Sequence, residues 1–332
     1  RVTAHILCRP YFPAEEEDVA RFGSCLREVL EETNLTLPAR NTVPLNVGMD
    51  FWSAISADVR HSLQPLHALI FDSDVVLTLV AEPGPRMDIP VVTESTAPQP
   101  SQRQYWNRRD AAEEMAKWAR DLFFAMNIAR PGAAQLMTGH VAVDGFALRI
   151  EAQFQHEWHT LRVTSARDGW PIIRELTLTQ VRRWLERLPG FEDGFARDAT
   201  GRAVQSLSHL LYGHDGTVEL LWTMIGLEAL YTTGEAGLSQ QLRDRAQAFL
   251  GANIHAPKLI NEMYRIRSKF VHGKLNFAGA HHLQDAADER IKSEALLTEA
   301  IDVGASMLLA SVQQLIDRGW HAVSFRTEVN SD

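Results

Sequence analysis

Cysteine is nearly absent. The 332 residues hold two, Cys8 and Cys25. Two thiols build no disulfide framework, and with no CxxC spacing they build no thiolate zinc site. A reducing, cytoplasmic setting is expected, with both cysteines serving as small apolar residues. Positive charge is in deficit: 33 Lys and Arg stand against 42 Asp and Glu, a formal net charge of −9. That excludes broad, sequence-independent coating of DNA, because phosphate neutralisation needs clustered cations. It leaves room for a local basic patch holding one nucleic-acid strand or a nucleotide. Long apolar runs are scarce too. The run 218–231 is interrupted by Glu219 and Glu228 and is too short and too charged to span a bilayer, so no membrane is expected among the partners. No charged n-region leads into an apolar h-region, so no signal peptide is expected. GxGxxG, GxxxxGK[ST] and GxSxG are all missing, which removes sequence support for dinucleotide, P-loop and hydrolase-elbow chemistry and for a cofactor.

What is present divides in two. Hydrophobic content of 45% supports two domains with real cores. From 14 to 32, Val19, Phe22, Leu26, Val29 and Leu30 recur at spacings of three and four, which predicts a helix. Residues 43–56 and 66–81 read as short strands and loops, and the proline-rich stretch 83–104 as an extended loop. Residues 110–129 predict a helix whose stripe is Met115, Trp118, Leu122, Phe123 and Met126, stopped by Pro131 and Gly132. Strand-like runs follow at 139–151, 152–165 and 171–178. Near residue 180 the pattern changes, and helices are predicted at 179–188, 199–213, 215–232, 238–250, 256–272 and 286–318. Gly213, Gly234, Gly251 and Gly273 fall where a C-terminal cap tolerates positive φ, and Ser239 falls where an N-cap belongs. The expected fold is α+β: an N-terminal mixed α+β domain over 1–190, regulatory or sensing, then an all-α bundle over 191–332.

Three polar runs suggest chemistry and are set aside. HALIFDSDVVLTLV (67–80) resembles the first motif of haloacid-dehalogenase phosphatases, but no later acidic pair supports a Mg²⁺ site, and Asp72 and Asp74 read as a turn. The run from His156 to His159 is one residue short of HExxH. Its surroundings read as a strand, where positions i and i+3 point to opposite faces. His281 and His282 lie in a polar loop with no thiolate or carboxylate at ligand spacing. No metal is expected.

The run YRIRSKFVHGK (264–274) ends a predicted helix. Arg267 and His272 are five residues apart, so on a straight helix their side chains diverge by about 140°. They converge only if His272 sits in the fraying last turn, or if two copies of the helix face each other across a two-fold axis. Lys258, Arg265, Lys269 and Lys274 surround them, against Glu262. An arginine grips phosphate oxygens bidentately and keeps its proton. A histidine takes and returns a proton near neutral pH. Together they suit metal-free RNA cleavage, in which the ribose 2′-OH attacks its own phosphate, His272 moves protons and Arg267 stabilises the phosphorane. Ser268 can bond the phosphate or orient the histidine. The alternative is structural: Arg267 pairs with a buried acid such as Glu228, and His272 caps the helix C-terminus.

RSKFVHG resembles the R-polar-xxx-H signature of Apea-like HEPN domains. Upstream, WTMIGLEALYTTGEAGLSQQLRDRAQAFLG (222–251) is similar to the same group: a helix ending in LEALY, a short Gly/Glu loop, then a helix opening with Leu-Ser. The resemblance covers about residues 200–320. The first part is similar to the α+β regions that precede this domain in bacterial proteins. The resemblance implies an antiparallel helical bundle that dimerises through its motif-bearing helices. It implies metal-independent endoribonuclease activity in toxin or phage-defence systems, with Arg267 and His272 catalytic, Ser268 the polar residue after the arginine, and RNA the substrate. Lys269, Arg265 and Lys274 are expected to hold the strand, and a protein regulator is expected as a further partner. Inactive members bind or dimerise without cleaving, so a non-catalytic module binding nucleotide, RNA or protein is the second reading.

Overall fold

Alternation at the start of the chain sets up a sheet. In strand β1 (Val2–Arg9), Ala4, Ile6 and Cys8 are fully buried, as period-two geometry requires of residues sharing one face. A computed structural model describes residues 2–9, 16–31, 35–36, 44–51, 75–81, 100–143, 146–150, 158–211, 216–234, 237–274 and 288–325. It falls into two compact units, Arg1–Phe154 with Thr177–Arg182, and Gln155–Leu176 with Arg183–Asp332.

The first unit is α+β. Its strands are β1, β2 (Leu35–Thr36), β3 (Pro44–Phe51), β4 (Val75–Ala81), β5 (Gln135–Val143) and β6 (Phe146–Ile150). Among the described residues they lie in the order β2-β3-β4-β1-β5-β6, antiparallel throughout. Val141 faces Ala4 and Leu136 faces Cys8 across the β1–β5 ladder, extending the buried face. Helix α1 (Glu16–Glu31) and helix α2 (Pro100–Ala129) pack on the sheet. Phe22, Leu26 and Val29 of α1 and all five residues of the predicted α2 stripe are buried. Neither cysteine is in a disulfide and both are buried, as the small-apolar reading has it. Burial lifts the Cys25 thiol above its ordinary value, against the opposing pull of Arg130. Helix α2 begins at Pro100, ten residues before the expected start, so 100–104 is helix and not extended loop. Proline fits the first helical turn, where its missing N–H has no partner to lose.

The second unit is helical among the described residues: α3 (Trp158–Asp168), the end of α4 (Leu178–Glu186), α5 (Ala199–Leu211), α6 (Gly216–Tyr231), α7 (Leu238–Leu250), α8 (Ala256–Val271) and α9 (Asp288–Arg318). The six helices expected after residue 180 are present within a few residues. Two strand expectations are overturned. Residues 158–165 are helical, because Trp158, Leu161, Thr164 and Ser165 bury a helical stripe; residues 171–177 form no strand. Trp170 Nε1 donates to Gly251 O at 2.9 Å. The Gln313 side chain accepts from Arg174 N–H and donates to Arg174 O, both at 2.8 Å. Residues 155–176 therefore belong to the helical unit, upstream of the change in sequence pattern near 180. Gly234, Gly251 and Gly273 have positive φ, as expected of caps. Ser239 is not the N-cap of α7; Gly237 is, in a left-handed conformation without a side-chain bond.

Helix α9 is the axis of this unit and packs against α3, α5, α6, α7 and α8. Every residue from 300 to 316 is buried, so it is surrounded by protein on all sides. Glu294–Arg318 is long and apolar enough to cross a membrane by length and composition. Of its most apolar window, 78% is buried inside the fold. Its polar side chains find protein partners. Ser311 Oγ lies 2.6 Å from Tyr231 Oη, and Ser306 Oγ donates to Leu161 O at 3.2 Å. Two glycines allow close approach. A Cβ on Gly226 of α6 would lie 2.7 Å from Leu308 Cδ2, and one on Gly304 would lie 2.5 Å from Thr223 Cγ2 and 2.6 Å from Met263 Sδ.

Candidate functional site

Helix α8 starts with Pro257 in its first turn and packs Ala256, Ile260, Met263 and Ile266 inward. Its opposite face is polar. Lys258, Arg265, Lys269 and His272 are all exposed, and their spacings of seven, four and three keep them along one solvent-facing stripe. The helix ends by a defined device. His272 is the C-cap, Gly273 takes φ 65°, Gly273 N–H bonds Phe270 O at 3.0 Å, and Lys274 N–H bonds Lys269 O at 2.7 Å. This is the Schellman pattern, which closes the last orphan carbonyls through a left-handed glycine. His272 N–H also bonds Ser268 O at 3.1 Å. The backbone under His272 is thereby tied down while its imidazole projects into solvent.

Arg267 faces α6. Its Nη2 lies 3.9 Å from Glu228 Oε1, with the arginine side chain 34% and the glutamate 24% exposed. Charge-assisted N–H···O⁻ bonds are about 2.7–2.9 Å long, so this is a loose ion pair. Among the described residues the guanidinium makes no hydrogen bond, and Nε is buried without a partner. Unsatisfied buried donors are rare in folded proteins. Tyr264, one turn before Arg267, donates its hydroxyl to the same Glu228 Oε1 at 3.1 Å. Burial first, then the Glu228 carboxylate, push the Tyr264 phenol well above its ordinary value, so it stays a donor.

No family model, curated protein or solved structure matches this chain.

The site therefore stands on its own geometry. Arg267 and His272 lie on one helix but on different faces, as their five-residue spacing requires. The expected Arg267–Glu228 pairing is present, loosely, and His272 does cap the helix, so both parts of the structural alternative have a physical counterpart. Arg265 is taken up by Glu262: its Nε donates to Oε2 at 2.7 Å and a second, shorter contact joins Nη2 to Oε1. Arg265 holds the Glu262 carboxyl below its ordinary range. It is thus the least available of the expected strand-binding cations, while Lys269 and Lys274 stay exposed. The Ser268 hydroxyl makes no hydrogen bond among the described residues, and its carbonyl rather than its side chain is what contacts His272.

Tyr264 escaped the sequence reading, since its role depends on how α6 and α8 cross. On its other flank α8 borders a cavity of about 480 Å³ shared with α9 and the end of α3, with Leu259, Met263 and Val303 among its apolar walls. Asp72, Asp74, His156, His281 and His282 lie outside the described residues. His159 sits in the first turn of helix α3, not on a strand. Among the described residues no three His, Cys, Asp or Glu side chains gather as a metal site.

Proposed function

We propose that this chain is a metal-independent endoribonuclease built on a HEPN-type helical bundle, with Arg267 and His272 as its catalytic pair. The observation that carries the reading is the Arg267 guanidinium: one-third exposed, without a hydrogen bond among the described residues, and two residues from Lys269 in an exposed stripe that ends on His272. An arginine in a loose ion pair keeps donors to offer, and a phosphate accepts them bidentately. The 2′-oxygen bonds to phosphorus as its proton leaves to His272, Arg267 offsets charge on the non-bridging oxygens, and the P–O5′ bond breaks as a proton is returned. The products are a 2′,3′-cyclic phosphate and a 5′-hydroxyl.

The angle between Arg267 and His272 favours a homodimer in which one copy's Arg267 works beside the second copy's His272. Ile225 on α6 and Val271 on α8 are 46% and 49% exposed, and they flank the Glu228–Arg267 pair one turn away on each helix. Such apolar groups are what a partner helix covers. A cytoplasmic toxin or phage-defence role, with the first unit or a separate protein as regulator, belongs to the same proposal.

The test is incubation of the purified chain with single-stranded RNA in EDTA, followed by end mapping. Cyclic phosphate ends, survival of DNA of the same sequence, and losses of about 10²- to 10⁴-fold in His272→Ala and of a similar order in Arg267→Ala are expected. Cleavage that persists in His272→Ala, requires Mg²⁺ or extends to DNA would falsify the mechanism. The Glu228 ion pair favours a second reading, a non-catalytic module that dimerises and binds nucleotide, RNA or protein. Wild-type protein that binds RNA without cutting it would establish that reading instead.

A further inference from the structure

Two further side chains, from two helices, meet beside Arg267. Glu228 Oε1 is shared: it accepts the Tyr264 hydroxyl at 3.1 Å and faces Arg267 Nη2 at 3.9 Å. We propose that Glu228 and Tyr264 are positioning residues for Arg267, Tyr264 fixing the carboxylate and the carboxylate fixing which edge of the guanidinium faces outward. The proposal rests on the endoribonuclease reading of the same site.

Three features support it. The ion pair is too long to consume the donors of Arg267, so the carboxylate orients the group by its field without occupying the N–H bonds a phosphate would use. The backbone that carries the carboxylate is held, since Thr232 N–H and Thr232 Oγ1 both donate to the Glu228 main-chain O, at 3.0 and 2.7 Å, and the carboxylate itself accepts from Tyr264. The inner side of the guanidinium faces protein, with Nε buried and, among the described residues, without a partner. That leaves the outer, Nη edge of the fork as the part free to meet an oxyanion. A rival role fits the same contacts: Glu228 as a latch that cancels the Arg267 charge until substrate displaces it. The two roles predict opposite signs.

The experiment compares wild type, Glu228→Gln, Tyr264→Phe and the double variant on a single-stranded RNA oligonucleotide in EDTA, with kcat and KM measured separately. Gln keeps the acceptor for Tyr264 and loses the charge. About a tenfold fall in kcat with KM within twofold is expected for Glu228→Gln, and about threefold for Tyr264→Phe. The double variant should be no slower than Glu228→Gln, because Tyr264 acts through Glu228. Glu228→Asp, whose carboxylate is drawn back by one methylene, should fall between wild type and Gln.

The second readout needs no catalysis. In protein labelled with ¹⁵N-arginine, the Arg267 Nε–H signal, assigned by its loss in Arg267→Lys, should exchange with solvent more slowly than those of exposed arginines. It should exchange faster in Glu228→Gln and Tyr264→Phe. A Glu228→Gln enzyme as fast as wild type or faster, or one with unchanged Nε–H exchange, overturns the proposal. If wild type cuts no RNA, the enzyme reading falls, and the exchange data still decide whether Glu228 and Tyr264 hold Arg267.

Discussion

Replacing Gly304 with alanine should weaken the second unit measurably, although alanine is the better helix former. The added methyl would sit 2.5 Å from Thr223 Cγ2 and 2.6 Å from Met263 Sδ, both well inside van der Waals contact. Met263 has a flexible thioether that can swing aside. Thr223 is β-branched, stiff at χ1 and fully buried, so it yields less readily than Met263. Overpacking of this kind costs about 1–3 kcal/mol, and two simultaneous clashes put Gly304→Ala near the upper end. Relief of the glycine penalty in mid-helix returns about 1 kcal/mol. The net loss is about 2 kcal/mol, which lowers Tm by about 4–8 °C for a unit of this size. Thermal unfolding followed by circular dichroism measures it. Thr223 lies just over one turn before Glu228 and Met263 immediately before Tyr264, so the same wedge should spread α6 from α8 and lower kcat along with Tm. An alanine variant that melts at or above the wild-type temperature would refute the close-packing argument.

Other expectations follow from named contacts. Gly273→Ala puts a Cβ on a left-handed residue and should cost about 1 kcal/mol, seen as a lower Tm, and should slow cleavage by loosening the backbone under His272. The double variant Lys269→Gln/Lys274→Gln should bind an uncleavable 2′-O-methyl RNA more weakly and reduce the slope of log K against log salt by about 1.4; an unchanged slope removes these lysines from the interface. His140 on β5 is pushed below its ordinary 6.5 by burial. Between that lowered value and 6.5 the unfolded chain binds the extra proton, so stability should fall as pH drops through this window. In His140→Asn, urea unfolding at pH 7.5 and 5.5 should show a smaller difference than in wild type.

Much of the second unit was legible because helical signals agreed with one another. In α8, Ile260, Met263 and Ile266 mark the buried stripe, Pro257 the start and Gly273 the stop, and the observed helix differs from the expected one by a single residue. Legibility failed where two patterns coincide. WHTLRV carries β-branched and aromatic residues that suit a strand, yet Trp158, Leu161 and Ser165 also fall on a helical stripe, and packing on α9 decides between them. Pro100 belongs to a proline-rich stretch that reads as extended loop, yet at a helix start it is a tolerated first residue. In the site, Arg267 and His272 were visible by residue type and spacing, and Glu228 as an acid within an apolar run. Tyr264 was not, because a tyrosine's hydroxyl acquires a role only once two helices fix what lies opposite it.

The central place of α9 has a consequence for synthesis. Residues 300–316 are the wall against which α3, α5, α6, α7 and α8 all rest, and they are translated after every one of them. A chain emerging from the ribosome N-terminus first therefore presents Arg267 and His272 on a helix whose support has not yet been made. Among the described residues the first unit has its strands and helices α1 and α2 in hand by residue 154, save the short return at 177–182, and can form early. The second is completed in one late step, when its last helix slots in. Arg267 and His272 therefore stay without their supporting wall until α9 has left the ribosome.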